Sequence, residues 1–102
     1  MNLSFKKDLA SNWFKLLQNA ICNDIIKIEK NKYKFNSTTW QKNKKKDEGG
    51  GEYRILKNGK VFEKVGVNFS KVYGKFPKEF QKNIPGAQKN PRFWASGVSV
   101  VM

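Results

Sequence analysis

The chain has 102 residues, a formal net charge of +13 at pH 7 and 38% hydrophobic residues, which allows at most one domain with a modest core. One cysteine and no histidine exclude an internal disulfide, a thiolate metal cluster and a Ser-His hydrolase, and they argue against a self-contained metalloenzyme. No apolar run approaches the roughly 20 residues that span a bilayer, and the amino terminus does not resemble a secretory signal, so we expect a cytoplasmic protein.

The first predicted element is an amphipathic helix. Apolar residues recur there at spacings of three and four, at Phe5, Leu9, Trp13, Leu16, Leu17, Ala20 and Ile21. Ser4 is the predicted N-cap, Asp8 suits the positive end of the helix, and the helix is expected to stop near Asn23 and Asp24. An aromatic residue on such a stripe usually packs in the core, so Trp13 is interpreted as a core residue.

A second, weaker hairpin is predicted to follow. Residues 26–29 alternate between apolar and charged, residues 30–32 make a turn, and residues 33–35 alternate again.

From residue 36 to residue 48 the apolar pattern lapses except at Trp40, which predicts a surface loop that runs into Gly49, Gly50 and Gly51. One interpretation is that these glycines form a flexible turn into a strand. The other is that they form a loop that faces a substrate, because glycine-rich backbone can cradle an anion. The turn is favoured, and no P-loop or dinucleotide fingerprint is present.

The strongest local signal is a hairpin at Asn58-Gly59, a dipeptide that suits a type I′ turn. Segments 53–56 and 61–65 flank it with alternating β-branched and aromatic residues. Both of their faces carry apolar groups, as in a sheet that is covered on both sides. Gly66 is predicted to mark a bend or a bulge.

A third strand is predicted after Gly66, with two different faces. One face carries Val67, Phe69, Lys71 and Tyr73, and the other carries Asn68, Ser70 and Val72. Asn68 and Ser70 therefore share a face, where they are either satisfied by backbone groups or line a polar cleft. From the residues alone, satisfaction by the backbone is favoured.

Pro77 fits the first turn of a short helix that ends at residues 84–86. The last predicted strand covers residues 92–102. Its small residues Ala95, Gly97 and Ser99 lie on one face, and Trp94, Ser96, Val98, Val100 and Met102 lie on the other. Because an unpaired apolar edge invites association, we expect a partial domain that aggregates or oligomerises through this strand.

Three ordered motifs resemble the oxygen-dependent coproporphyrinogen-III oxidases, which are enzymes of haem biosynthesis. The first is Trp40 with the glycine run and Arg54-Ile-Leu, the second is GKVFEKVGVNFS at residues 59–70, and the third is FWASGVS at residues 93–99. The resemblance runs from about Trp13 to the last residue.

Some features depart from the family pattern. The family usually has four glycines where this chain has three, and it often has Arg in place of Lys42. Family members continue past the Gly-Val-Ser strand into a His-Pro-x-Asn-Pro segment, followed by the His, Asp and Arg residues that carry catalysis.

The resemblance implies an α+β fold in which an antiparallel sheet is flanked by helices. It implies that residues 1–102 are a single partial domain, the amino-terminal portion of the enzyme, truncated at the C-terminus. By the same resemblance Ser99 is the substrate-contacting serine, and Asn68 and Ser70 are weaker candidates in the cleft. Arg54 is a conceivable propionate partner, although a surface arginine is favoured. No catalytic residue and no metal ligand is expected in this chain, so we expect it to be inactive alone.

The family reaction converts propionate side chains of coproporphyrinogen III to vinyl groups by oxidative decarboxylation, with oxygen as acceptor and no organic cofactor. The resemblance also implies a homodimer whose contact includes the region from Val67 to Phe76, and no membrane partner. One alternative is a split-gene fragment that needs a C-terminal partner.

Another alternative is a small basic nucleic-acid-binding module that uses lysines and strand aromatics as an unspecific platform. Only Arg54 and Arg92 of the 21 basic residues are arginine, and the lysines are spread along the chain. Because phosphate and base recognition favours the guanidinium, nucleic acid is not the favoured partner.

Overall fold

In the computed structural model, which describes residues 2–102, one long helix packs on one face of a four-stranded antiparallel sheet. The elements are α1 (Leu3–Ile28), β1 (Asn36–Gln41), β2 (Gly49–Lys57), β3 (Lys64–Lys75), α2 (Lys78–Gln81) and β4 (Arg92–Val101). Each strand pairs with the next one in sequence, so the sheet order is β1-β2-β3-β4. The predicted α+β class is confirmed, and β4 is an edge strand, as expected.

Helix α1 begins two residues earlier than predicted. The side chain of Asn2 accepts a hydrogen bond from the backbone N–H of Phe5 at 2.8 Å, so Asn2 is the N-cap and the assignment of Ser4 is wrong. An N-cap oxygen satisfies one of the amide groups that the first helical turn leaves without a partner.

Helix α1 also ends later than predicted. It continues past Asp24 to Ile28, and Lys30 and Asn31 then take left-handed conformations with φ of 59° and 61°. The predicted hairpin over residues 26–35 is therefore wrong. Ile25 and Glu29 extend the buried side of the helix by another turn, and this packing overrides the alternation of residues 26–29.

The buried side of α1 differs from its predicted apolar stripe, of which Ile21 packs against the core. Ser11, Gln18, Cys22 and Ile25 face the sheet, whereas Trp13 is 63% exposed, so the core assignment of Trp13 is wrong. Gln18 joins the helix to the sheet, because its Nε2 donates to the carbonyl groups of Glu52 and Val67, both at 3.0 Å.

Strand β1 lies where a loop was predicted. Residues 36–41 pair with β2, and Trp40 stands opposite Gly51. The strand was missed because a short strand at a sheet edge buries little, and its side chains need no apolar alternation. The glycine run is likewise part of β2, so it forms neither the turn nor the loop that the two interpretations assigned to it.

The hairpin between β2 and β3 is confirmed, but its two-residue turn is wrong. The ladder closes at the pair Lys57 and Lys64, which leaves residues 58–63 as a wider loop. The buried carboxylate of Glu29 accepts hydrogen bonds from the N–H groups of Val61 at 2.8 Å and Phe62 at 3.1 Å. A two-residue turn would remove these amides from the carboxylate, so the long-range contact determines the loop.

Strand β3 runs without interruption from Lys64 to Lys75. Gly66 pairs with Ile55 on one side and Val101 on the other, so the predicted bend or bulge at Gly66 is wrong. The short helix α2 follows Pro77 as predicted, but it ends at Gln81, before residues 84–86.

The core lies between α1 and the sheet. Its fully buried members are Leu56, Val65 and Val67 of the sheet, packed against Cys22 and Ile25 of the helix. Among residues 2–102 nothing covers the opposite face of the sheet, so the expectation of a sheet covered on both sides is not met in this part of the chain.

Candidate functional site

The sheet face opposite α1, called the open face below, collects Asn68, Ser70 and Ser99, the three residues that the sequence placed in the substrate cleft. Because side chains alternate along each strand, the ladder places every second residue on this face. Tyr53, Asn68 and Ser99 form one row across the strands, and Gly51, Ser70 and Gly97 form the next.

A groove of about 800 Å³ runs along the open face. Asn68, Ser70 and Ser99 line it together, although 29 or more positions separate Ser99 from the other two in the sequence. The remaining lining residues are Trp40, Tyr53, Ile55, Lys64, Gly66, Phe69, Gly97, Val98, Val101 and Met102. The antiparallel pairing of β3 with β4 is therefore what brings the predicted site residues together.

Asn68 provides the polar centre of this groove. Its Nδ2 donates to the Ser99 hydroxyl at 3.4 Å, and its Oδ1 is buried with no donor among residues 2–102. The favoured interpretation, that backbone groups satisfy Asn68, is therefore wrong, because its amide lies in the groove with one oxygen unsatisfied. A buried carbonyl without a donor is costly, so the site retains unused hydrogen-bonding capacity.

Trp40 forms one wall of the groove, and a glycine makes its position possible. A Cβ on Gly51 would lie 2.9 Å from Cζ2 of Trp40 and 2.0 Å from the carbonyl oxygen of Phe69. Both distances are too short for a side chain, so glycine is required here by the close approach of its neighbours. Trp40 and Tyr53 thus supply aromatic surface beside the polar centre.

Sequence reasoning did not propose Trp40, Tyr53, Gly66 or Gly97 as site residues. The pairing of the strands could have identified them. A register that places Tyr53 opposite Asn68 puts these four residues on the same face of the sheet as Asn68. That register could not be written from the sequence while the turn between β2 and β3 was misassigned.

Arg54 lies on the covered face, away from the groove. Its Nε and Nη2 contact the two oxygens of Glu52, each at 3.2 Å, and its side chain is only 19% exposed. The surface interpretation of Arg54 is therefore wrong, and the same contact keeps it from acting as a propionate partner in this groove.

Glu52 is the centre of that charge cluster. Hydrogen bonds from Arg54 and then from Lys15 lower the pKa of Glu52 to about 2, while partial burial acts in the opposite direction. Lys15 belongs to α1, so this cluster joins the helix to β2. Its chemistry is structural, because all three side chains are occupied with one another.

Among residues 2–102 no three His, Cys, Asp or Glu side chains gather into a set that could hold a metal ion. In the same range, no helix combines the length and the apolar composition that crossing a bilayer requires.

Comparisons with known proteins agree with the motifs. The sequence profile of the family described as coproporphyrinogen III oxidase matches residues 10–102. The chain is 44% identical to the oxygen-dependent coproporphyrinogen-III oxidase of Rickettsia felis, over 93% of this chain and 36% of that relative. It is 40% identical to the enzyme of the same name from Rickettsia africae, over 99% of this chain and 37% of that relative.

The chain thus spans little more than a third of the length of the relatives that it matches. The match to the family profile nevertheless includes every strand of the sheet and the whole open face. The chain belongs to the coproporphyrinogen III oxidase family.

Proposed function

We propose that the open face is the sheet side of the substrate cleft of an oxygen-dependent coproporphyrinogen-III oxidase, and that this chain contributes substrate binding. The observation that carries the proposal is the convergence of Asn68, Ser70 and Ser99 in one groove. The family motifs indicated these three residues, and the strand register unites them without reference to any motif.

The groove offers the groups that a tetrapyrrole with propionate side chains needs. Ser99 and Ser70 provide hydroxyl groups, Asn68 provides an amide oxygen that can accept from a pyrrole N–H, and Lys64 provides a cation at the rim. Oxidative decarboxylation also needs a base to remove a proton, and we assign no catalytic residue to this chain. We expect oxygen as the acceptor and no organic cofactor.

The proposed partners follow the family as well. We propose a homodimer whose contact includes the region from Val67 to Phe76, in a cytoplasmic protein. Both edges of β3 are paired, so such a contact would not form by adding a strand to β3. It would use the end of the strand, where Phe76 stacks on Phe93 with ring centroids 4.7 Å apart.

Binding of coproporphyrin III, the stable oxidised form of the substrate ring, tests the proposal. Titration of the chain should quench tryptophan fluorescence and shift the porphyrin absorption band. Ser99→Ala should weaken binding about five- to tenfold, because one hydrogen bond is worth about 1 kcal/mol. Ser4→Ala, an exposed change on α1, is the matched control and should bind as the unchanged chain does.

The charge of +13 requires a second measurement, because an anionic porphyrin also binds lysines without specificity. Repeating the titration at high salt removes that contribution, and the difference between Ser99→Ala and the control should persist. Equal affinities of the two variants at high salt would contradict the proposal. We also expect no conversion of coproporphyrinogen III to protoporphyrinogen IX by the chain alone, and measured turnover would refute that part.

A further inference from the structure

Two glycines of the open face have no structural explanation within the sheet. Gly66 in β3 and Gly97 in β4 do not have positive φ, and no atom lies within 4 Å of the position that a Cβ would take on either of them. Glycine in a strand interior costs conformational entropy and packs no side chain. Gly51, on the same face, differs because its neighbours leave no room for a Cβ.

Both positions lie on the floor of the groove, on either side of its polar centre. Gly97 stands opposite Ser70, and Gly66 stands between Ile55 and Val101. The row of Asn68 and Ser99 runs between the two glycines. A Cβ at either glycine would therefore point into the groove, next to Asn68 and Ser99.

We infer that Gly66 and Gly97 are specificity-determining residues, which keep the floor clear so that a pyrrole ring can lie face-on against the backbone of β3 and β4. Trp40 and Tyr53 then flank the ring, and Asn68 and Ser99 meet its polar atoms. This inference rests on the proposed function and adds a selection by shape, because a strand glycine permits close approach of a ligand. A bulkier residue at either position would exclude the ring without disturbing the sheet.

Gly97→Val and Gly66→Val test the inference, because they should change stability and binding in opposite directions. Valine in an extended strand with open space above it should raise the melting temperature. The same side chain should weaken binding of coproporphyrin III more than about tenfold, since it occupies the floor. Gly97→Ala should lie between the unchanged chain and Gly97→Val in affinity.

Two matched variants separate filling of the groove from general effects of substitution. Ala95→Val lies on the same face of the same strand but outside the groove lining, so it should bind as the unchanged chain does. Gly51→Val should lower the melting temperature, because its Cβ would meet the Phe69 carbonyl and the Trp40 ring.

The affinities and melting temperatures of these variants distinguish failure of the inference from failure of the proposed function. If Gly97→Val folds and binds as tightly as the unchanged chain while Ser99→Ala binds weakly, the shape inference is overturned and the proposed function stands. If both Gly97→Ala and Gly66→Val lower the melting temperature, the glycines serve the fold and the inference is again overturned. If the unchanged chain does not bind coproporphyrin III at all, both the proposed function and the inference that rests on it are refuted.

Discussion

The two faces of the sheet are formed by alternate residues of the same strands, but one face packs in the core and the other lines the groove. On the covered face, Leu56 is 0% exposed and lies in the core beneath α1. On the open face, its neighbour Ile55 lines the groove, and Tyr53 is 37% exposed. The comparison shows how one chain segment can provide stability and a ligand-binding surface together, because successive strand residues point in opposite directions.

Helix α1 also has two different sides. Its side toward the sheet includes the fully buried Gln18, whose amide donates to two strand carbonyls, whereas Trp13 and Leu16 of its apolar stripe are exposed. Burial on this helix therefore follows hydrogen bonding to the sheet as much as hydrophobicity.

The largest expected effect comes from a substitution on the covered face, and the adjacent residue on the open face provides the control. Leu56→Ala removes a fully buried side chain and should lower the free energy of unfolding by about 2–5 kcal/mol. Ile55→Ala, one residue away on the open face, should cost less than about 1.5 kcal/mol because it leaves no enclosed cavity. Urea denaturation measures both values. Equal losses would mean that the open face is also part of the stabilising core.

An intermediate effect concerns the charge cluster that joins α1 to β2. The pKa of Glu52 falls from 4.5 to about 2 on folding, so its ionised form stabilises the chain above about pH 4.5, and this contribution is lost as the pH falls towards 2. Glu52→Gln should lower the stability at pH 7 by about 1–3 kcal/mol. It should also make the loss between pH 4.5 and pH 2 less steep in urea denaturation.

The control for this titration is Glu63→Gln, an exposed carboxylate in the loop between β2 and β3. This variant should lose stability between pH 4.5 and pH 2 as steeply as the unchanged chain does. If Glu52→Gln and Glu63→Gln gave the same profile, the cluster with Arg54 and Lys15 would not determine the acid stability.

The smallest expected effect tests the outward side of α1. Trp13→Gln should change the free energy of unfolding by no more than about 0.5 kcal/mol, because exposed substitutions away from packed features have little effect. Thermal unfolding followed by circular dichroism measures it, because the change removes one fluorescent tryptophan. A loss of several kcal/mol would show that the stripe is covered in solution, and it would restore the core assignment that the sequence favoured.

Several features of the fold and the site were predictable because their causes are local. The alternation of Asn68 and Ser70 with Val67 and Phe69 depends only on strand geometry, and it placed the two polar side chains on one face correctly. Asn58-Gly59 marked a reversal of the chain, and the reversal is present. The motif that contains Ser99 identified a residue that does line the groove.

Other features depended on residues far apart in the sequence and could not be read from local patterns. The width of the loop between β2 and β3 depends on Glu29, which lies 32 positions before Val61. The buried side of α1 depends on strand carbonyls that Gln18 reaches across 34 and 49 positions. Contacts of this kind override propensity, because a buried hydrogen bond left unmade costs more than a local preference supplies.

By itself the sequence determined the family, the α+β class, the alternation of the strands and the candidate residues of the cleft, since motifs and side-chain direction are local properties. Only the tertiary structure decided that α1 covers one face of the sheet, that Arg54 is held by Glu52, and that Gly66 and Gly97 lie bare on the groove floor. These facts depend on strand register and on the packing of α1, which arise only when distant segments meet.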